Sequence, residues 1–269
     1  MPISVIIITR NEEANIERCL NSVNWADEIV VVDSGSSDRT VEIARRFTDK
    51  VFVVDWMGYA KTKAYAVSKT RNSWIFWIDD DEEVSQELQS NIAGLQPEAL
   101  AEFRAFKMPR RTYFLGRWIK NSGWYPDYVT RLFRKDYAQF SQDLVHEKLI
   151  VQGDIGKLNG DLLHYTDNDL SHYFKKFHRY TKLAAIELNQ QGRRMNWFFA
   201  ALKAWATFVK IYFLKLGFLD GVQGFQIATL TSFYILVKYF KLWELQRRDG
   251  RANLRPRLRK SEEYQHLGS

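Results

Sequence analysis

Residues 3–23 read ISVIIITRNEEANIERCLNSV, and this stretch determines the fold class. Residues 3–9 form a continuous run rich in β-branched side chains, which is typical of a strand buried on both faces. Polar residues follow, and then apolar residues recur at helical spacing: Ile16, Cys19, Leu20 and Val23. The stretch therefore predicts a strand, a loop and a helix.

The same succession repeats along the first third of the chain. Strands are predicted at residues 28–33 (EIVVVD), 51–55 (VFVVD) and 74–78 (WIFWI), with helical patterns after residue 40 and over residues 58–69. Apolar strands that alternate with helices predict an α/β fold with a mostly parallel sheet and helices on both faces. With 269 residues, the chain is long enough for one principal domain and a substantial extension.

Polar and acidic residues gather where three of these strands end. The clusters are Thr9-Arg10-Asn11-Glu12, Asp33-Ser34-Gly35-Ser36 and Asp79-Asp80-Asp81-Glu82. Parallel sheets bind ligands at the carboxyl ends of their strands, where the loops gather. We therefore expect the three clusters to line one site.

The three consecutive aspartates at 79–81 favour a metal site within this group. Adjacent carboxylates repel and raise one another's pKa. Mg²⁺ or Mn²⁺ relieves that repulsion and binds a diphosphate at the same time. On these residues alone, an acidic loop that caps the following helix is an equal alternative. The two neighbouring clusters favour the metal site.

The second part of the chain differs in charge and pattern. Mixed short strands and loops are predicted from about residue 103, and helical spacing returns over residues 170–188. Residues 1–164 contain 21 Lys and Arg against 24 Asp and Glu, whereas residues 165–269 contain 18 against 8. The basic part predicts an anionic partner: a membrane surface, a nucleic acid or an acidic substrate. It contains no recognisable nucleic-acid motif, so a nucleic-acid-binding module is the weaker, non-enzymatic alternative.

Residues 196–241 are the most apolar stretch, although Lys203, Lys210 and Lys215 interrupt its first half. No window has the roughly 18 charge-free apolar residues expected of a spanning helix. We predict an amphipathic helix in a membrane interface, with its aromatic residues towards lipid: Trp197, Phe198, Trp205 and Phe208. The alternative is packing on its own domain or in a homo-oligomer.

The amino terminus and the cysteine content predict a cytoplasmic location. The first apolar run lacks a basic leader and is interrupted by Arg10, so it does not resemble a signal peptide. The single cysteine, Cys19, excludes a disulfide framework and is expected to be a small buried side chain. We expect a peripheral protein on the inner face of the cytoplasmic membrane.

Three segments together resemble the family 2 glycosyltransferases: SVIIITRNEEANIERCLNSV, DEIVVVDSGSSDRT and WIFWIDDDEEV. The second half is similar, more loosely, to the subgroup that adds β-1,4-linked glucose to the inner core of lipopolysaccharide or lipooligosaccharide. The segments that carry this likeness are RLFRKD, DLVHEKL and LLHYTDNDLSHYFKKFHRYTKLAA. The resemblance implies a GT-A nucleotide-sugar-binding domain over residues 1–165 and a basic helical extension over residues 166–269.

The resemblance also implies roles for individual residues. The donor site would comprise Thr9, Asn11, Glu12, Asp33, Lys63, Asp79 and Asp80, with Asp80 in a structural role. Family members often carry Arg-Asn where this chain has Lys63-Ala64. Asp81 would bind Mg²⁺ or Mn²⁺ together with His164, and Glu147 would be the catalytic base, with Asp143 as its rival. From the residues alone, Glu147 pairs with Arg131 or Lys148, and His164 is a partly buried imidazole.

The implied reaction is an inverting, metal-dependent transfer of glucose from UDP-glucose to a glycolipid acceptor of the lipopolysaccharide-core type. A polyprenyl-phosphate-linked or other glycan acceptor is the alternative. A mixed basic and aromatic segment is predicted to bind the acceptor, because aromatic rings stack on sugars and Arg pairs with phosphate. Its residues are Arg110, Arg111, Tyr113, Phe114, Arg117, Trp118, Lys120, Trp124, Tyr125 and Arg131. The alternative is an ordinary solvated surface with aromatic packing.

Overall fold

The computed structural model describes residues 1–141, 148–167 and 169–265, without the side chains of residues 167, 172 and 249–265. It divides into two compact units. Unit 1 comprises residues 1–120 and 124–166, and unit 2 comprises residues 121–123 and the chain from residue 167 onwards. The functions predicted for residues 1–165, a catalytic domain, and for residues 166–269, a basic helical extension, stay predictions.

Unit 1 combines a large mixed sheet with short helices. Its strands are β1 (Ile3–Thr9), β2 (Glu28–Asp33), β3 (Val51–Val53), β4 (Trp74–Asp79), β5 (Glu82–Val84), β6 (Ala105–Phe114), β7 (Arg117–Trp118), β8 (Asp127–Arg134), β9 (Ala138–Phe140), β10 (Leu149–Val151), β11 (Ile155–Lys157) and β12 (Leu162–Asp167). Its helices are α1 (Ile16–Ser22), α2 (Thr40–Ala44), α3 (Tyr59–Ser68), α4 (Gln86–Ala93) and α5 (Pro97–Glu102), and a 3₁₀ turn covers Lys135–Tyr137.

The strand order of the large sheet is β3-β2-β1-β4-β8-β6-β12-β5, with β7 and β11 also paired to β6. The first four strands are parallel. Strand β8 then runs antiparallel to β4. Strands β9 and β10 form a separate antiparallel pair. The predicted α/β class is confirmed, and the parallel half of the sheet is the half that the sequence pattern identified.

Successive residues of β1 point to opposite faces of the sheet, as the strand period of two requires. Val5 and Ile7 pack in a core with α1, α2 and α4, whereas Ile6 and Ile8 pack in a second core with α3. All of these residues are almost inaccessible to solvent. Burial on both faces explains why β1 has no polar residue between Ser4 and Thr9.

The acidic segment after β4 does not cap a helix. Residues Glu82–Val84 form the short strand β5, and α4 begins only after Ser85. The Ser85 hydroxyl accepts a hydrogen bond from the N–H of Leu88 at 3.2 Å, which is the usual capping interaction. The capping alternative for Asp79–Asp81 is therefore wrong, because a serine closer to the helix performs that role.

Unit 2 is helical. Its elements are α6 (Leu170–Gln190), α7 (Trp197–Val209), a π-helical segment (Lys210–Leu214), a 3₁₀ turn (Gly217–Asp220) and α8 (Gly221–Gln265). Its buried core consists of small and medium side chains from three helices: Ala185, Ala200, Ala204, Ile235, Tyr239 and Leu242. Helix α7 begins at a capping residue, because the Asn196 side chain accepts a hydrogen bond from the N–H of Phe199 at 3.0 Å.

A polar cluster holds the turn between α7 and α8. The buried carboxylate of Asp220 accepts hydrogen bonds from the backbone and side-chain N–H groups of Asn121, each at 3.1 Å, and from the Ser122 hydroxyl at 2.8 Å. The N–H of Ser122 donates to the carbonyl of Lys215 at 2.9 Å. Asn121 and Ser122 thus donate the hydrogen bonds that the buried Asp220 carboxylate and the Lys215 carbonyl accept.

Candidate functional site

Three adjacent parallel strands place polar residues at one edge of the sheet. Thr9 ends β1 and lies opposite Asp33 at the end of β2, and Asp79 at the end of β4 lies opposite Ile8. Asp33 is fully buried, and its carboxylate accepts hydrogen bonds from the N–H groups of Gly35 at 2.9 Å and Ser36 at 2.8 Å. The structure therefore brings together the three strand ends that the sequence pattern selected.

The loops after β1 and β2 are hydrogen-bonded to each other. The N–H of Asn11 donates to the Ser36 hydroxyl at 2.8 Å, and the Asn11 side-chain oxygen accepts from the N–H of Ser37 at 2.8 Å. The N–H of Glu12 donates to the hydroxyl of Thr40 at 2.8 Å. Asn11 has a φ of 55°, a left-handed conformation that Asn tolerates better than most residues. These contacts give both loops a defined shape.

Asp79 is partly buried and belongs to a charge cluster with the buried residues Arg131 and Glu82. Its carboxylate accepts hydrogen bonds from Arg131 at 2.7 Å and from the Trp77 indole N–H at 3.2 Å. Arg131 also donates to Glu82 at 2.6 Å, and the N–H of Asp79 donates to Glu82 at 3.1 Å. Burial alone would raise the pKa of Asp79, but the positive charges of Arg131 and Lys63 outweigh it and lower that pKa. Asp79 is consequently ionised.

Arg131 is a functional candidate that sequence reasoning misplaced. It was predicted on an acceptor surface, but only 3% of its side chain is exposed. Phe76 on β4 is paired with Leu132 on β8, so Arg131 comes next to Trp77, and its guanidinium lies 3.9 Å from the centre of that indole ring. The position of Arg131 depends on the antiparallel pairing of β4 with β8. These strands are distant in sequence, so a local sequence pattern does not predict their pairing.

Lys63 projects from α3 towards the same cluster. Its ammonium lies 3.6 Å from the centre of the Trp77 ring, and the residue is buried. Its charge helps to keep Asp79 ionised. The predicted role of Lys63 at a diphosphate stays a prediction, and the structure places its ammonium over the Trp77 ring.

Asp80 and Asp81 have different surroundings. Burial, followed by the negative charges of Asp81 and Glu12, raises the pKa of Asp80. Asp81 lies beside His164, with 3.3 Å between its carboxylate and the imidazole Nε2. His164 is on β12, which pairs with β5, and the N–H of Tyr165 donates to the Asp81 carbonyl at 2.9 Å. The pairing of β12 with β5 therefore brings two residues that are distant in sequence into contact.

Asp81 and His164 have suitable chemistry for a divalent cation. Carboxylate oxygen and imidazole nitrogen are both ligands of Mn²⁺, and carboxylate oxygen is a ligand of Mg²⁺. No group of three or more His, Cys, Asp or Glu in the described part of the chain is arranged as a metal site. Two protein ligands fit a cation that completes its coordination with substrate phosphates and water. The predicted Mg²⁺ or Mn²⁺ site stays a prediction.

The predicted catalytic base lies outside the described residues. Both Glu147 and its rival Asp143 fall within residues 142–147. The choice between them, and the alternative pairing of Glu147 with Arg131 or Lys148, stays open. Arg131 does have two carboxylate partners in the described residues, Asp79 and Glu82.

Part of the predicted acceptor segment forms a mixed basic and aromatic cluster. The guanidinium of Arg111 lies 4.2 Å and the ammonium of Lys120 lies 4.5 Å from the centre of the Trp118 ring. Tyr125 packs edge-on against Trp118 and donates to Asp161 at 3.0 Å. Phe114 is buried, in contrast, and therefore belongs to the core.

A buried cysteine lies directly beneath the acidic segment. The Cys19 thiol on α1 donates a hydrogen bond to the Asp79 carbonyl at 3.4 Å, and the residue has no exposed surface. Burial, together with the nearby carboxylates, raises the pKa of this thiol. Cys19 is therefore a structural residue, as its position in the sequence predicted.

Comparison with known proteins supports these observations. The family model described as glycosyl transferase family 2 matches residues 4–148. An uncharacterized glycosyltransferase of Rickettsia typhi is 34% identical over 265 residues, which cover 90% of this chain and 87% of that protein. The chain belongs to glycosyltransferase family 2. It is therefore an enzyme, and this confirms the predicted family, its GT-A class of fold and the predicted transferase chemistry over the nucleic-acid-binding alternative.

Other relatives of this glycosyltransferase extend the comparison. The lipopolysaccharide core biosynthesis glycosyltransferase LpsC of Rhizobium meliloti is 28% identical over 269 residues, covering 94% of this chain and 96% of LpsC. Among solved structures, S. aureus TarS in complex with UDP-GlcNAc is 16% identical, with a TM-score of 0.46 over 90% of this chain and 92% of that chain.

Proposed function

We propose that this glycosyltransferase catalyses an inverting, metal-dependent transfer of a hexose from a nucleotide sugar to a lipopolysaccharide-core-type acceptor. One observation carries the proposal: Thr9, Asp33 and Asp79 converge at the ends of adjacent parallel strands, with Asp81 and His164 in contact. The relative LpsC, which acts in lipopolysaccharide core biosynthesis, supports this acceptor class because it aligns with 94% of the chain.

The proposed donor is UDP-glucose. The nucleoside would bind at the loops after β1 and β2, which contain Asn11, Glu12 and Asp33, where peptide groups and carboxylates can form hydrogen bonds with the base and ribose. Lys63 and Asp79 would lie near the diphosphate, and Asp80 would support the loop. The mutual hydrogen bonds of the two loops support this assignment, because a defined loop shape favours binding of a rigid nucleoside.

Asp81 and His164 would hold the Mg²⁺ or Mn²⁺ ion. When bound, the ion supplies positive charge next to the departing nucleoside diphosphate. The proposed base, Glu147 or Asp143, removes the proton from the acceptor hydroxyl. That oxygen then bonds to the anomeric carbon as the bond to the diphosphate breaks on the opposite side, which inverts the configuration.

A donor panel tests the reaction. The protein is incubated with UDP-, GDP- and ADP-sugars in the presence of Mn²⁺ or Mg²⁺, and the release of nucleoside diphosphate is measured. We expect UDP-glucose to be hydrolysed fastest and EDTA to abolish hydrolysis. A clear preference for another nucleotide sugar, or full activity in EDTA, would contradict the corresponding part of the proposal.

Two variants separate binding of the metal from loss of a surface charge. Asp81→Asn should raise the Mn²⁺ concentration needed for half-maximal hydrolysis, whereas Asp49→Asn should leave it unchanged. Asp49 is an exposed aspartate that precedes β3, at the opposite edge of the parallel strands.

Glu147→Gln should lower turnover by about 10²–10⁴-fold, which is typical for loss of a general base. Near-normal turnover of that variant would favour Asp143.

The acceptor is tested by transfer of labelled glucose. Core-truncated lipopolysaccharide and polyprenyl phosphate are offered in separate reactions with the same donor. Label on the lipopolysaccharide supports the proposal, and label on polyprenyl phosphate alone would replace it with the polyprenyl-linked alternative.

A further inference from the structure

Helix α7 is packed with its large side chains outwards. The residues that face the core of unit 2 are Ala200 and Ala204, which are almost completely buried. Trp197 is 71% exposed and Trp205 is 65% exposed. In a helix of a water-soluble protein, the larger apolar side chains form the stripe that faces the core. Small residues at the helix contact and large apolar residues outside are typical of helices that pack within lipid.

Exposed apolar residues continue through the π-helical segment and the turn that follow α7 into the first residues of α8. We call the whole surface the α7 apolar face. Its residues are Trp197, Phe198, Phe199, Leu202, Trp205, Phe213, Leu214, Leu216, Phe218, Leu219, Val222 and Phe225, each at least 45% exposed. Contiguous apolar surfaces of this kind mark sites of contact with proteins or membranes.

Basic residues outnumber acidic residues in the part of the chain that carries this face. Between Glu187 and Glu244, the chain contains Asp220 as its single acidic residue, and Asp220 is buried in the turn. The same stretch contains seven basic residues: Arg193, Arg194, Lys203, Lys210, Lys215, Lys238 and Lys241. A partner of this surface should therefore combine an apolar interior with an anionic exterior.

Two identical copies of the face are poor partners for each other. In a twofold dimer, the same patch of both subunits would meet, so the exposed lysines of this segment, Lys203, Lys210 and Lys215, would approach their own copies. Like charges across an interface are unfavourable, and Lys is depleted in the centre of protein interfaces. An anionic lipid surface has no such conflict, because it offers hydrocarbon below a layer of negative headgroups.

A position along the surface of the bilayer fits better than a full crossing. Trp197–Leu214 is the one helix among the described residues that is long and apolar enough to cross a membrane by length and composition. The core helix of a soluble protein can pass the same test, but such a helix is mostly buried. Only 17% of this segment is buried. Two lysines fall within the segment, and the turn that follows contains the hydrogen-bonded cluster of Asp220, Asn121 and Ser122. Charged and polar groups of this kind are costly in hydrocarbon.

We propose that the α7 apolar face binds the surface of an anionic lipid bilayer, with its aromatic side chains in the interface and its lysines at the headgroup phosphates. This inference does not depend on the reaction proposed above, because none of its residues belongs to the strand-end site. Its test can be performed without donor or acceptor.

The test is flotation of the full-length protein with vesicles. Vesicles of phosphatidylcholine alone are compared with vesicles that also contain phosphatidylglycerol, at low and high salt. The protein should float with the anionic vesicles, and salt should weaken this binding because it screens the lysines. Absence of binding to anionic vesicles, or equal binding to both kinds of vesicle, would overturn the proposal.

Paired variants locate the binding surface. Lys203→Gln/Lys210→Gln should lower the affinity for anionic vesicles by about fivefold for each lysine. Lys107→Gln/Lys157→Gln, which removes two exposed lysines of unit 1, should leave the affinity unchanged. Equal losses in the two pairs would show that net charge alone matters, which would contradict a defined face.

The aromatic residues are tested by Trp197→Gln/Trp205→Gln. Both side chains are exposed, so circular dichroism should show an unchanged fold while vesicle binding is lost. Ile155→Gln, at an exposed apolar position of β11, serves as the control. Sedimentation velocity of the same proteins tests the second copy as partner. A dimer that these tryptophan substitutions dissociate, without any binding to vesicles, would overturn the lipid proposal.

Discussion

Arg131 is the residue on which the acidic end of β4 depends. It is buried, and it donates to both Asp79 and Glu82. The aspartates at 79–81 were predictable from the sequence because they directly follow an apolar strand. Their charge balance was not, because the compensating guanidinium comes from β8, about fifty residues later. A buried carboxylate is stable only with such a partner, so its loss should have a large cost.

Arg131→Gln should therefore destabilise the protein by about 3–5 kcal/mol, since the fully buried Glu82 and the partly buried Asp79 lose their charged partner. Arg46→Gln is the matched control, because Arg46 is half-exposed and forms surface pairs with Glu17 and Glu42. Its cost should be no more than about 1 kcal/mol. Urea unfolding followed by tryptophan fluorescence measures both. Similar costs for the two substitutions would contradict the assigned role of Arg131.

Glu28 gives a second prediction for a single residue, at the opposite edge of the sheet. Burial opposes its ionisation, but hydrogen bonds from Lys50, Ser4 and the N–H of Arg71 outweigh burial and lower its pKa from 4.5 to about 2. A carboxylate with a lowered pKa stabilises the fold above its unfolded pKa and loses that effect as the pH falls through its folded pKa.

Glu28→Gln should cost about 1–3 kcal/mol at neutral pH, because the donors around the buried Glu28 side chain lose a charged acceptor. The difference in unfolding free energy between the natural protein and this variant should shrink as the pH falls from 4.5 towards 2. Urea unfolding of both proteins between pH 4.5 and pH 2 measures this difference in unfolding free energy. A difference that does not change with pH would show that Glu28 has the same pKa in the folded and unfolded states, which would contradict the prediction.

Pairing between strands explains which parts of the site the sequence could predict. The parallel strands β1, β2 and β4 follow one another with helices between them, so the rule for parallel sheets brought Thr9, Asp33 and Asp79 together. The contact between Asp81 and His164 depends on the antiparallel pairing of β5 with β12. Strand β5 has only three residues and begins with two glutamates, so its local pattern did not distinguish a strand from the start of a helix.

The turn between α7 and α8 gives a prediction at the same scale. A Cβ atom added to Gly224 would overlap the carbonyl oxygen of Gly217, which is backbone and cannot rotate away. Gly224→Ala should therefore destabilise unit 2 by about 1–3 kcal/mol or more, as overpacking generally does. Thr229→Ala, at an exposed position of the same helix, should be neutral or slightly stabilising because alanine favours helix. Thermal unfolding compares them, and a neutral Gly224→Ala would contradict this close packing.

The division of the molecule into two units predicts that the proposed catalysis and the proposed lipid binding are separable. The strand-end residues are in unit 1 and the α7 apolar face is in unit 2. If both proposals hold, Lys203→Gln/Lys210→Gln should leave hydrolysis of soluble UDP-glucose unchanged. The same variant should slow transfer to an acceptor embedded in anionic vesicles. Rates of hydrolysis and transfer measured side by side would show this, and equal slowing of both would contradict separability.

The single cysteine of the chain makes local opening of the protein measurable. Cys19 has no exposed surface, and its thiol contacts the carbonyl of Asp79. A thiol reagent can therefore react only while α1 moves away from the end of β4, so its labelling rate reports how often this part of the enzyme opens. A bound nucleotide that holds this part closed should slow the labelling. The labelling rate of Cys19 therefore measures local opening of the enzyme without any introduced label site.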